Sequence, residues 1–238
     1  MRKVKFQLGK IYHIFNRGVD KRNIFNGDRD KWRFLQGLFL FNDEKKFHNI
    51  LYQLERNKGA INFSIIKNFI KNSTEERIPL VRIMADCLMP NHFHLIIEEI
   101  KEGGISKFMQ RFGTGFAKYF NTKYRRTGSL FEGPFKAVEI ENDDYLKYLL
   151  VYINIINPGQ LIELDLKKEG VKNIGKVLSF AADYDWSTNK EYLETRESVI
   201  IDKGLLGKIF SESTNYKEFC REILLNRKYN EVDHLIFE

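Results

Sequence analysis

Two apolar segments separated by one tight turn constrain this chain more than any other feature. Residues 79–88, PLVRIMADCL, and 92–98, HFHLIIE, are rich in branched and apolar side chains, and only Met89-Pro90-Asn91 stands between them. Runs of this length are short for helices, and Pro-Asn is turn chemistry, so the pair reads as a β-hairpin whose apolar faces other elements must cover.

The flanking sequence supplies those elements. Lys10 to Asn16, KIYHIFN, alternates and reads as a strand closed by Arg17-Gly18. Asp28 or Asp30 can cap a helix running to about Phe41, with Trp32, Phe34, Leu35, Leu38 and Phe39 as its apolar face. Beyond the hairpin, Gly103-Gly104 precedes a helix from Ser106, its expected cap, to Tyr124. A strand follows from Phe135 to Ile140, and then a helix capped by Asn142 or Asp143 that reaches about Ile156 and is stopped by Pro158-Gly159. This order predicts an α+β fold, a ferredoxin-like βαββαβ sandwich with an antiparallel-containing sheet and one added C-terminal helix. Asp43 to Arg77 is polar, carries two short helical patterns (about Phe47 to Arg56 and Ile61 to Phe69) and reads as an insertion. The expected organisation is therefore a domain at 1–160, interrupted at about 43–77, and a small helical extension at 161–238.

Composition narrows the function classes. Hydrophobic residues make up 43% and aromatics 14% of the 238 residues, which suits a folded chain and argues against disorder. The longest largely apolar run, Tyr148 to Ile156, is too short to cross a bilayer, the basic N-terminus lacks an apolar secretory core, and Cys87 and Cys220 have no metal-type spacing. A cytoplasmic protein without a membrane partner is expected. The net charge of +7 is unevenly placed. Residues 1–22 carry seven basic side chains against Asp20 alone, and residues 101–136 carry eight against Glu102 and Glu132. Either block alone can be a solvated face; together they point to a polyanion, because clustered Lys and Arg gain affinity by releasing counterions from phosphates. Phe108, Phe112, Phe116, Tyr119, Phe120 and Tyr124 recur at helical spacing, so packing is their first role and base stacking a lesser one.

His92 and His94 flank Phe93 at the start of the second hairpin strand. Side chains two apart on a strand share a face, so both imidazoles can reach one divalent ion. The spacing alone is also that of an ordinary strand edge. His13, on a strand expected to neighbour this one, can approach the pair or be a core histidine.

Several segments in a fixed order resemble one family. "MPNHFHLII" (89–97) is similar to the His-hydrophobic-His motif of the HUH single-tyrosine transposases, and "YHIFNRG" (12–18), "YRRTGSLFEGPFK" (124–136), "YLLVYINIINP" (148–158) and "YDWSTNKEY" (184–192) follow the same family, in wording nearest to the REP-associated tyrosine transposases. The resemblance implies an enzyme that cuts single-stranded or hairpin DNA through a 5′-phosphotyrosine, with Tyr152 as nucleophile and Mg²⁺ or Mn²⁺ held by His92 and His94. Arg17 resembles a family position near the DNA, and Lys118, Arg125, Arg126 and Lys136 of the basic block are expected to hold the DNA backbone, in a monomer or homodimer. Tyr145, Tyr148 and Tyr152 share one helical face, and packing is the plainer reading of the first two. A replication initiator or relaxase shares this chemistry but fits the flanking motifs less well. The sequence departs from the family at one point. An Asn four residues after the nucleophile helps bind the metal there, whereas here Asn157 comes five after Tyr152 and Ile156 takes the ligand position. On a regular helix Asn157 sits roughly 140° away from Tyr152; a π-bulge restores the register. Without it, a non-catalytic protein on the same fold that binds single-stranded DNA or RNA is the alternative.

Overall fold

The computed structural model describes residues 4–45, 67 and 76–226. Its centre is a four-stranded sheet of β1 (Ile11–Arg17), β2 (Val81–Met89), β3 (His92–Glu99) and β4 (Lys136–Ile140) in the order β2-β3-β1-β4. Every neighbouring pair is antiparallel. This is the strand order of a ferredoxin-like βαββαβ sandwich, so the α+β expectation holds. The expected insertion at 43–77, with both its helical patterns, lies outside the described residues except at its ends and Lys67.

Alternation along the strands sorts the side chains into two layers. Tyr12 and Ile14 of β1, and Phe93, Leu95 and Ile97 of β3, face α1 (Asp28–Phe41) and α2 (Gly104–Lys123). Phe34 anchors that layer, its ring 4.6 Å from Phe112 and 4.9 Å from Phe93. The two helices meet closely where Gly115 lies against the ring of Phe41; a Cβ there would come within 2.4 Å of Cζ. Expected helix-packing aromatics Phe108, Phe112, Phe116 and Phe120 are all buried here.

Two expected caps are corrected. Ser106 does not start α2, which begins at Gly104 behind Gly103 in the left-handed region (φ 70°). The carboxylate of Glu99, at the end of β3, takes over by accepting from the N–H groups of Gly103 and Ile105, each at 2.8 Å. Gly27 is the N-cap of α1, without a side-chain bond. Asp30 is instead buried inside the first turn, where the Asn26 N–H, the Tyr119 and Tyr124 hydroxyls and Lys123 donate to it.

The other sheet face is covered by the segment that follows β4. Helix α3 (Asp143–Val151) is capped by Asn142, whose side chain accepts from the Tyr145 N–H at 2.8 Å. It continues as a π turn over Tyr152–Ile156 and closes with a helical turn, Asn157–Gly159. Pro158-Gly159 therefore does not stop the helix at Ile156: proline sits in the first turn of the closing segment, where a missing N–H costs little. Short helices follow, among them α4 (Leu166–Glu169), α5 (Ile174–Asp183), α6 (Asn189–Tyr192), α7 (Gly204–Ile209) and α8 (Ser213–Asn226). Val177, Ala181, Leu206, Tyr216, Cys220 and Ile223 from this extension share one core with Leu149, Leu150, Ile153 and Ile155. The tail motif also lines the outer edge of β2: Leu88 donates to the Trp186 carbonyl at 2.8 Å and Thr188 to the Asp86 carbonyl at 3.0 Å. That contact covers backbone groups that an open edge would expose.

Candidate active site

The strand pairing assembles a polar strip on the face covered by α3 and the π turn. Residues directly opposite one another in an antiparallel pair point to the same side. Phe15 lies opposite His94 and Arg17 opposite His92; on the other side of β3, Cys87 and Met89 oppose the same two histidines. Lys136 of β4 lies opposite Phe15. His92 and His94 thus share a face, with ring centroids 5.1 Å apart and planes at 88°. His94 is buried at 1% exposure, and His13 at 0%.

Each histidine ring is fixed by a hydrogen bond at Nδ1. The Nδ1 of His92 lies 2.7 Å from Oδ1 of Asn91; a carboxamide oxygen only accepts, so Nδ1 is the donor, and in the neutral ring Nε2 then carries the lone pair. The Nδ1 of His94 lies 2.8 Å from Nε2 of His13. If His94 donates in that bond, its Nε2 also has a lone pair, the form a metal ligand requires. His13 is then the group that orients His94, and its Nε2 is spent on that bond.

Among the three tyrosines of α3 and its continuation, Tyr152 is the one packed on the pair, its ring centroid 5.7 Å from that of His94 with planes at 85°. Tyr145 is buried and its hydroxyl is pushed up to about 12 by desolvation, a packing environment. Tyr148 packs on Phe219, ring centroids 5.9 Å apart. Tyr152 itself is 1% exposed, and Lys167 of α4 donates to its hydroxyl.

The π turn resolves the one-residue discrepancy after Tyr152. The N–H of Asn157 bonds the carbonyl of Tyr152, an i to i+5 step that closes the turn over five residues and returns Asn157 to the side that carries Tyr152. The carboxamide of Asn157 is fully buried; Oδ1 accepts from Gln160 Nε2 at 3.1 Å, and Nδ2 has no hydrogen-bond partner among the described residues. A buried amide with one orphaned atom suits a site that receives another group.

The DNA-contact residues expected from the sequence divide into two places. Arg17 and Lys136 line a cleft with Phe15, Asn16, His92, His94 and Glu132, where Arg17 Nε is 2.8 Å from Glu132 Oε1. Lys118, Arg125 and Arg126 belong to α2 and the loop after it, on the opposite side of the sheet; Lys118 and Arg125 are exposed, and Arg126 lies over the Phe120 ring. Part of the basic block has structural work: Lys101 pairs with Glu44, Lys123 with Asp30, and Arg111 donates to the Asp43 carbonyl. Sequence reasoning missed Lys167, Asn91 and Glu132. Asn91 and Glu132 lie within quoted motifs and were recoverable; Lys167 lies in none.

Among the described residues no helix is long and apolar enough to cross a membrane, and no three or more His, Cys, Asp or Glu side chains group as a metal site. A divalent ion here would need ligands beyond the two imidazoles, which a carboxamide, water and a phosphate can supply.

Comparison with known proteins adds the family. No curated protein matches the chain. A solved structure of a REP-associated tyrosine transposase bound to a REP hairpin is similar over 85% of this chain and 93% of that one, at 11% identity and a TM-score of 0.43. The model of the IS200-like transposases matches residues 9–155, from the first strand into the π turn. By that match, which takes in His92, His94 and Tyr152 and most of the chain's length, the protein belongs to the IS200-like transposase family.

Proposed function

We propose that this transposase is an endonuclease and strand transferase for single-stranded, hairpin-bearing DNA, and that it works through a 5′-phosphotyrosine on Tyr152. The observation that carries the reading is the packing of the Tyr152 ring on His94, within a histidine pair whose Nδ1 atoms are both engaged. The phenol oxygen of Tyr152 attacks the scissile phosphorus; the O–P bond forms as the bond to the 3′-oxygen breaks, and that oxygen leaves as a 3′-hydroxyl with the proton the phenol gives up. One phosphodiester replaces another, so the linkage remains able to rejoin a strand.

His92 and His94, each through Nε2, would hold a Mg²⁺ or Mn²⁺ ion, with the carboxamide of Asn157 as the candidate further ligand. When bound, such an ion polarises the phosphate and offsets its developing charge. The protein's own groups do the rest. Asn91 and His13 would hold the two imidazoles in their ligating tautomers, and Arg17 and Lys136, which line the same cleft, would neutralise backbone phosphates there. Lys118, Arg125 and Arg126 form a second basic surface for duplex or flanking strand.

One observation favours a second reading. The hydroxyl of Tyr152 is buried and capped by Lys167, as it would be in a relative that binds DNA without cutting it. A denaturing gel separates the two: with labelled hairpin-bearing single strands from the gene's own flanks and Mn²⁺, a covalent adduct that disappears in Tyr152→Phe supports cleavage. DNA binding with no adduct on any such strand supports the non-catalytic reading.

A further inference from the structure

The proposed reaction gives the nucleophile a neighbouring imidazole pair. The extension adds a cation at its hydroxyl. We infer that Lys167 is a catalytic residue of strand cleavage, its ammonium standing at the Tyr152 hydroxyl as the fixed positive charge for the oxygen that bonds to phosphorus. This rests on the Tyr152 reading above.

Three observations carry it. Lys167 Nζ donates to the Tyr152 hydroxyl and sits 4.7 Å from the centroid of the ring, so it is held against the whole phenol. The tyrosine is 1% exposed, and away from bulk water a unit charge at contact distance acts far more strongly than on the surface. Finally, the lysine is placed by packing. Its neighbour Leu166 is 1% exposed and wedges against the end of the nucleophile helix at Gly159, where a Cβ would come 2.8 Å from Leu166 Cδ1 and 3.0 Å from Val177 Cγ1. Only glycine lets α4 approach that closely, and the approach puts the next residue, Lys167, at the phenol.

The chemistry follows from charge. As the phenol gives up its proton, negative charge develops on its oxygen and is then shared with the phosphate and the departing 3′-oxygen as one O–P bond forms and the other breaks. A cation at the phenol oxygen is attracted to that phenolate character, which the neutral phenol of the ground state lacks, so it stabilises the transition state more than the ground state. Returning the 3′-hydroxyl to rejoin the strand retraces the same charge movement, so Lys167 serves cleavage and joining alike.

Single-turnover adduct formation by the full chain, at saturating hairpin-bearing single-stranded DNA and saturating Mn²⁺, tests this. Lys167→Met keeps the length and removes the charge; Lys167→Arg keeps the charge. The expectation is that the Met variant forms adduct about a hundredfold more slowly, the size typical for loss of one preorganised donor. The Arg variant should recover at least a tenth of the wild-type rate, and added ethylammonium should partly rescue Lys167→Ala, which a merely structural role would not allow. Rates within threefold of wild type for the Met variant, a faster Met variant (a latch), or equal losses in Met and Arg without amine rescue each overturn the inference. A wild-type protein that forms no Tyr152-dependent adduct overturns the Tyr152 reading, and the role of Lys167 falls with it.

Discussion

The Nε2 of His13 lies 2.8 Å from the Nδ1 of His94, joining the first strand to the third through two fully buried rings. Register makes this possible: His13 sits opposite Ile96, two residues along β3 from His94 and on the same face. In the proposed metal site the bond gives the two histidines different tasks, His13 orienting and His94 ligating.

His13→Phe fills the same space without an acceptor for His94 Nδ1. The expected result is a 10–100-fold weaker affinity for Mn²⁺ by titration calorimetry, the usual cost of losing an outer-shell partner. An unchanged affinity would show that His94 needs no such partner.

The π turn predicts an unusual tolerance. Deleting either Ile155 or Ile156 gives Asn four residues after Tyr152, the spacing at which a regular α-helix already keeps both on one side. The single deletion should fold and retain the Tyr152 adduct; removing both isoleucines should abolish it, because Asn then moves roughly 100° around the helix. Loss of the adduct in the single deletion, with far-UV circular dichroism unchanged, would count against Asn157 as part of the site.

Asp86 gives stability a pH dependence. Burial, reinforced by Glu191 and opposed by Arg196, pushes its carboxyl up to about 7. A carboxyl raised in the folded state is stabilising while protonated: its contribution is complete below the unfolded value near 4 and is lost as pH rises through about 7, roughly 4 kcal/mol in all. Wild-type melting temperature should therefore fall between pH 5 and 8, whereas Asp86→Asn should give a flatter profile and the higher value at pH 8. Parallel profiles would place the proton elsewhere.

A buried polar relay ties the extension to the π turn. Asn154 Nδ2 donates to the Tyr216 hydroxyl at 3.1 Å, that hydroxyl donates to Asn189 Oδ1 at 2.8 Å, and Thr188 donates to Asn154 Oδ1 at 2.9 Å. Tyr216→Phe strands both asparagines, and thermal or urea unfolding should register a loss of about 1–3 kcal/mol. A smaller loss than in a half-buried control such as Tyr148→Phe would mean water replaces the hydroxyl.

The element order was legible in the sequence because it depends on local signals: alternation in KIYHIFN, the Pro-Asn turn between β2 and β3, Asn142 as a cap, and helical spacing of the α2 phenylalanines. His92, His94 and Tyr152 could be singled out for the same reason, since a strand's period of two and a family's short motifs are local too. What the chain could not declare is how segments far apart in sequence meet. Glu99 displaced Ser106 as a cap because the end of β3 is folded against the start of α2. The extra residue after Tyr152 became a π turn because a backbone bond in this packing, not a residue preference, chose i to i+5 over i to i+4. Lys167 carries no motif and no periodicity; it reaches Tyr152 only because Leu166 packs into the space that Gly159 leaves, and such a contact is set by tertiary packing, whose partners no local pattern records.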